Sequence, residues 1–263
     1  MRKVPAIIGV VVTLALVLLS GAASATPAHR LTPEADVPIL LVGGAVTAGF
    51  LFLEEAPSET CARGCDRSKI VFFDRWAAGN YDPAWATVGD IATGATVLFG
   101  PLVLTLDEGI GDGLHDNLVV GEAVILTTAL QVLSSYAVPR ARPRAYGGDE
   151  VPLEERTNAN AARSFFSGHT ATAVASTVAT ARTLQKLGRT RLAALVLGFG
   201  LAGSTFVGTA RVMSGGHFPS DVLAGAAVGA GFGILMPWLH GTNVRLTPTA
   251  SSEGGGAMLI GTW

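Results

Sequence analysis

Charge, aromatic residues and cysteine are all scarce in this chain of 263 residues: 14% charged, 7% aromatic and two cysteines. A net charge of −2 and a pI near 6.2 provide no basic field to concentrate a polyanion, which argues against nucleic acid as a partner. The two cysteines, Cys61 and Cys65, stand four apart in a loop containing Gly and Arg. A zinc site there would need two further ligands, and no nearby His or Cys supplies them. A small disulfide loop is the expectation in an oxidising compartment. What takes the place of charge is apolar surface, with 49% hydrophobic residues and a mean hydropathy of +0.46. That is too apolar for an average soluble enzyme and points to a membrane protein or a tightly packed helical bundle.

The N-terminus has the form of an export signal. Arg2 and Lys3 precede an apolar run from Ala6 to Leu19, and Ala23-Ser24-Ala25 follows as a small-residue cleavage site. Residues 1–25 are read as a cleaved signal or an uncleaved anchor helix, 26–240 as one helical domain and 241–263 as a tail. The tail ends in an apolar stretch that suits a short strand or a docking terminus.

Apolar stretches recur at Val37–Leu53, Ile91–Leu106, Leu118–Val138, Thr170–Leu184, Leu192–Val207 and Val222–Leu239. Each exceeds the usual strand length and is rich in Ala, Leu and Gly, which predicts an all-α fold with a six-helix core. Several are about 16 residues long, short of the roughly 20 that cross a bilayer comfortably. Membrane embedding is expected all the same. Gly198, Gly200, Gly203, Gly225, Gly229 and Gly233 would let helix backbones approach closely; the alternative reading is weak points in the helices. Glu54–Asp90, Asp107–Asn117 and Pro139–Ser167 read as polar connections.

Three polar clusters sit at the ends of these stretches. Arg140 and Arg142 follow the third, Ser167-Gly168-His169 opens the fourth, and Arg211, His217 and Asp221 span the junction of the fifth and sixth. Up-and-down connections place all three at one end of the bundle. Phosphoryl transfer needs cations for the non-bridging oxygens, a nucleophile and an acid for the leaving group. Arg142 and Arg211 supply guanidinium forks, and Ser167 and Gly168 precede a helix whose free N–H groups favour an anion. His169 opens that helix as a candidate general acid. The i,i+4 spacing of His217 and Asp221 lets a carboxylate hold one ring nitrogen and leave the other to attack phosphorus. A helix cap with a surface ion pair is the plainer reading of that pair alone.

The set resembles the type 2 phosphatidic acid phosphatase superfamily, which also includes bacterial acid phosphatases and vanadium-dependent haloperoxidases. Its Lys-x6-Arg-Pro element is similar to Ser135 through Arg142-Pro143, its Pro-Ser-Gly-His element to Phe166-Ser167-Gly168-His169, and its Ser-Arg-x5-His-x3-Asp element to Ala210-Arg211, His217 and Asp221. The resemblance covers roughly residues 85–240 and implies a six-helix bundle. It also implies His217 as nucleophile, Asp221 as its orienting partner, His169 as acid, and Arg142, Arg211, Ser167 and Gly168 as phosphate ligands, with no cofactor and no metal. Ser135 stands where the family has Lys, a lost charge-assisted contact of about 1.5–3 kcal/mol. Arg140, Arg144 and Arg163 are candidates to replace it, Arg140 first.

Arg182, Lys186, Arg189 and Arg191 form a segment without negative charge, which the positive-inside rule assigns to the cytoplasm. The active end then faces the periplasm, either from the inner membrane or as an exported domain. A cleaved signal conflicts with six spans: either the signal is not cleaved, or one stretch does not cross, Val37–Leu53 or Ile91–Leu106 being the first candidates, or the bundle is not embedded. The implied activity is hydrolysis of a lipid phosphate or polyprenyl diphosphate. A lipid phosphotransferase, a vanadate-dependent haloperoxidase and an inactive phosphate- or lipid-binding relative are the alternatives. His29, His115 and His240 receive no functional role, and Glu122 is expected to order a contact within the bundle.

Overall fold

The computed structural model describes residues 26–49 and 65–241, with the backbone of 245–251 and 254–260. The signal or anchor of residues 1–25 and Cys61 lie outside the described residues; Cys65 is not a free thiol. Six long helices form the bundle: α1 (Pro33–Gly49), α2 (Pro83–Glu108), α3 (Ile110–Ala137), α5 (Gly168–Lys186), α6 (Thr190–Met213) and α7 (Pro219–Leu239). The short α4 (Leu153–Thr157) interrupts the long connection before α5. In the tail the backbone forms an antiparallel hairpin of β1 (Arg245–Ser251) and β2 (Gly254–Ile260).

Two expected connections are shorter than their sequence suggests, because helix takes over the end of Glu54–Asp90 and nearly all of Asp107–Asn117. Asp82 caps α2 by accepting from the Ala84 and Trp85 N–H groups, and Pro83 occupies the first position, where its missing donor is harmless. The helix therefore begins a full two turns before its apolar run and carries Asp90 with it. The stretch Asp107–Asn117 is no loop either. Gly109, with φ +87, makes the whole reversal between α2 and α3.

Helix α5 is the inner element, packed against α2, α3, α6 and α7. Its buried face is small and polar, with Ser176, Thr177, Thr180 and Thr183 all at or below 2% exposure. Thr183 Oγ donates to the Ala179 carbonyl one turn back, and Ser176 Oγ donates across to Val97 O at 2.7 Å. Large apolar side chains point outward instead, among them Ile91, Leu98 and Leu102 on α2, Phe199 on α6 and Leu223 on α7. Small polar residues within and leucines without is the arrangement of helices packed in lipid.

Four helices, α2, α3, α6 and α7, are long and apolar enough to cross a membrane by length and composition. The alternative that Ile91–Leu106 fails to cross is not supported, since that run lies within α2. Among the described residues α1 does not meet the same criterion.

Close backbone approach is built on particular glycines. A Cβ on Gly225 would stand 2.4 Å from the Ser167 carbonyl, and one on Gly229 2.1 Å from the Ala171 carbonyl, so α7 lies directly against the start of α5. Gly233 approaches the Ala175 carbonyl in the same way, Gly200 and Gly203 make room for the Thr177 and Thr96 side chains, and Gly198 meets nothing within 4 Å. Gly229→Ala should therefore lower stability by about 1–3 kcal/mol through forced backbone movement. Gly198→Ala should be neutral or stabilising by up to about 1 kcal/mol. Thermal unfolding of both variants in detergent checks the contrast.

Candidate active site

The site is assembled around Asp221, which is fully buried in the first turn of α7. One oxygen accepts from the Phe218 N–H at 2.9 Å and from Ser164 Oγ at 2.6 Å; the other pairs with the Arg140 guanidinium. The backbone carbonyl of Asp221 accepts from Ser167 N–H at 3.0 Å. One residue thus ties the long loop, the start of α5 and the start of α7 together. Arg140 in turn donates to Asp74 at 2.7 Å, to Ser220 Oγ at 2.7 Å, and stacks 4.7 Å from the Phe218 ring.

His217 lies in the turn between α6 and α7, with 3% of its surface exposed. Its Nδ1 stands 2.6 Å from the Ser164 carbonyl. A carbonyl only accepts, so Nδ1 carries the proton and the lone pair of the neutral ring resides on Nε2. Burial, and after it the Arg142 guanidinium, hold the ring well below the ordinary imidazole range; His169 and Arg211 act in the same sense, against the Ser164 carbonyl. The ring is neutral at neutral pH.

Arg142, half-buried, and Arg211, buried, supply two cations beside it. Burial, then Arg144 and Arg211, pull Arg142 down to about 9, which leaves it charged at neutral pH. Arg142 donates to the Arg163 carbonyl, and Arg211 to the Ala86 carbonyl and the Asp90 carboxylate. The Nε–H of each is buried and makes no hydrogen bond among the described residues. Two orphaned cationic donors close to one neutral imidazole are what an oxyanion would satisfy.

His169, on the first turn of α5, places Nε2 3.1 Å from Asp90 Oδ1, the same oxygen that meets Arg211. Burial, then Arg211, lowers its imidazole to about 4. The Gly168 and His169 N–H groups lie in the first turn of α5, where no intrahelical acceptor exists.

Several expectations need correction. Asp221 does not bind the His217 ring; as third residue of α7 it is drawn to the Phe218 N–H, and the Ser164 carbonyl holds the imidazole instead. Ser167 offers no free N–H, because Asp221 O takes it, and its hydroxyl lies 3.0 Å from Thr170 Oγ1. Arg140 is no replacement for the missing Lys, since two fully buried carboxylates, Asp74 and Asp221, hold it. Arg144 is occupied by Glu155 and Asn158, Arg163 stacks 3.8 Å over the Tyr136 ring, and Ser135 turns back onto the Val132 carbonyl. Asp90, Ser164 and Asp74 escaped the sequence reading. Only Asp90 left a signal, the Asp82-Pro83 helix start that brings it into α2.

An apolar groove of about 420 Å³ runs between α5, α6 and α7, lined by Thr170, Val174, Leu201, Gly208 and Val222 among others. Thr170 and Val222 are the immediate neighbours of His169 and Asp221 in the chain. A separate buried group, Asp36, Glu122 and His240, lies at the far end of the bundle.

The two arginines should behave oppositely on truncation. Arg140→Ala leaves Asp74 and Asp221 buried without their cation and should cost about 3–5 kcal/mol of stability. Arg142→Ala removes a half-buried cation whose Nε–H has no acceptor among the described residues and should leave the unfolding temperature nearly unchanged. Thermal melts of the two variants, side by side, check this.

No curated protein matches the chain. Among solved structures, a transmembrane PAP2-type phosphatidylglycerolphosphate phosphatase from Bacillus subtilis is 21% identical, with a TM-score of 0.43, covering 78% of this chain and 94% of that one. The PAP2 superfamily matches residues 117–245. That segment contains Arg142, Ser167, Gly168, His169, Arg211, His217 and Asp221, while Asp74 and Asp90 lie outside it. The match to the PAP2 superfamily thus runs from within α3 to beyond the end of α7.

Proposed function

We propose that the chain is a phosphatase that hydrolyses lipid phosphate monoesters or diphosphates through a phosphohistidine on His217. One observation carries the reading: the Ser164 carbonyl fixes the proton on Nδ1 and leaves Nε2 as the lone-pair nitrogen, beside two arginines with unused Nε–H donors. Arg142, Arg211 and the Gly168 and His169 N–H groups hold the non-bridging oxygens. They supply the charge stabilisation at phosphorus.

The Nε2 lone pair forms a bond to phosphorus as the P–O ester bond breaks, and protonated His169 passes its proton to the leaving oxygen. A bound phosphate supplies the negative charge that draws the His169 imidazole up from its low resting value. Water then attacks the phosphohistidine, His169 accepts its proton, and phosphate leaves with His217 neutral again. Asp90 is a positioning residue, holding His169 and Arg211 on one oxygen. Asp221 acts on His217 at one remove, through Ser164.

The lipid class rests on the outward apolar faces of the helices and on the groove beside the site. In the proposed orientation the active end faces the periplasm and the Arg182–Arg191 turn faces the cytoplasm, following the positive charge of that turn.

Phosphate release from a panel of lipid phosphates, lipid diphosphates and soluble esters tests the reading. Wild type should favour the lipids, and His217→Ala should lose at least about 10⁴-fold in kcat. Comparable turnover in that variant, or release from soluble esters only, would contradict it. The acid limb of kcat/KM should lie well below the ordinary imidazole value near 6.5, because His217 stays neutral and nucleophilic as the pH falls through it. A limb at or above 6.5 would assign the nucleophile elsewhere.

A further inference from the structure

The group at the far end of the bundle has the chemistry of a cation site. Asp36 lies on α1, Glu122 on α3, and His240 just beyond the last residue of α7. Asp221 and His240 are separated by 19 positions of helix, about 28 Å at 1.5 Å per residue, so this group is remote from the phosphate chemistry. Asp36 is 7% exposed and Glu122 not at all.

Three observations converge. His240 Nδ1 lies 3.0 Å from the Met236 carbonyl, which only accepts, so Nδ1 carries the proton and a neutral ring turns its Nε2 lone pair inward. That nitrogen stands in hydrogen-bond and ion-pair distance of Asp36 Oδ1 at 3.0 Å and in ion-pair distance of Glu122 Oε2 at 3.2 Å, so a metal would take the place of a proton on Nε2. Second, neither oxygen of the fully buried Glu122 makes a hydrogen bond among the described residues. A carboxylate in that position is expensive to leave unsatisfied, and a protonated carboxyl would still need an acceptor. Third, a divalent cation would balance both carboxylates at once. An imidazolium between two carboxylates leaves a net negative charge in the interior, whereas a divalent ion with a neutral imidazole and two carboxylates is neutral.

The spacing also fits. Ligands about 2.05 Å from a tetrahedral metal stand about 3.3 Å from one another, close to the 3.0 and 3.2 Å separations found, and all three ligand atoms lie within 4.8 Å of each other. The Met236 carbonyl on Nδ1 is the outer contact that orients a metal-binding histidine. Asp36 is steadied likewise, its other oxygen accepting from Thr32 N–H at 2.6 Å.

We propose that Asp36, Glu122 and His240 bind one borderline divalent cation of the zinc class, with water as fourth ligand. The ion clamps α1 to α3 and α7. Its role is structural, since the site lies at the opposite end of α7 from His217. One nitrogen and two oxygens suit zinc better than magnesium, which prefers oxygen ligands and retains its water.

The full chain in detergent, stripped with a chelator and then dialysed against Zn²⁺, provides the test. Wild type should retain about one zinc per chain by mass spectrometry, at tetrahedral stoichiometry, and its unfolding temperature should rise with Zn²⁺ but not with Mg²⁺. Glu122→Gln and Asp36→Asn should abolish both effects, and His217→Ala should preserve them. Wild-type protein that neither retains zinc nor gains stability from it overturns the proposal, even if the variants fail to fold. Zinc retention by Glu122→Gln equal to wild type overturns it as well, by placing the ion elsewhere.

Discussion

A carboxylate buried without water must have every lone pair answered, and at Asp221 that requirement organises the active end of the molecule. Its oxygens collect the Phe218 N–H, the Ser164 hydroxyl and the Arg140 guanidinium, and its carbonyl collects the Ser167 N–H. Those contacts bring the loop after α3, the start of α5 and the start of α7 to one place. Ser164, so held, turns its own carbonyl to His217 and sets the tautomer. Replacing Asp221 would disturb the tautomer of His217 without breaking any bond between the two.

The same economy of polar contacts runs through the bundle. Helix α5 buries Ser176 and Thr183, whose hydroxyls donate to nearby carbonyls, beside Thr177 and Thr180, while α2, α6 and α7 send leucine, isoleucine and phenylalanine outward. Packing then depends on closeness between backbones more than on interlocking side chains, and Gly225 and Gly229 let α7 reach the α5 backbone where Ser167 begins it. The bundle's packing and the site's geometry share that contact. At the opposite end the polar group of Asp36, Glu122 and His240 brings together side chains from α1, α3 and the end of α7.

Much of this was legible in the sequence because it is local. Six apolar stretches gave six long helices, and residues at their ends, from Arg142 to Asp221, converge as up-and-down connection requires. What could not be read were choices made in three dimensions. The i,i+4 spacing of His217 and Asp221 suggested a direct contact, but the N–H groups of a helix start compete for the same carboxylate and win. Arg140 looked available until Asp74, 66 residues away in sequence, was found buried beside it. Asp90 was assigned to a connection because apolar runs mark the stretch facing lipid, not the helix itself; the Asp82-Pro83 cap was the better guide to where α2 begins. His240 was given no role because its partners come from two distant helices.

A covalent intermediate at His217 is the central step of the proposed mechanism, and stereochemistry at phosphorus tests it most directly. Hydrolysis of a lipid phosphate ester made chiral with oxygen isotopes, in isotopically labelled water, reports the number of displacements. Attack by Nε2 followed by attack by water inverts phosphorus twice, so the mechanism predicts net retention of configuration. Net inversion would mean that water attacks the ester directly, and would contradict it.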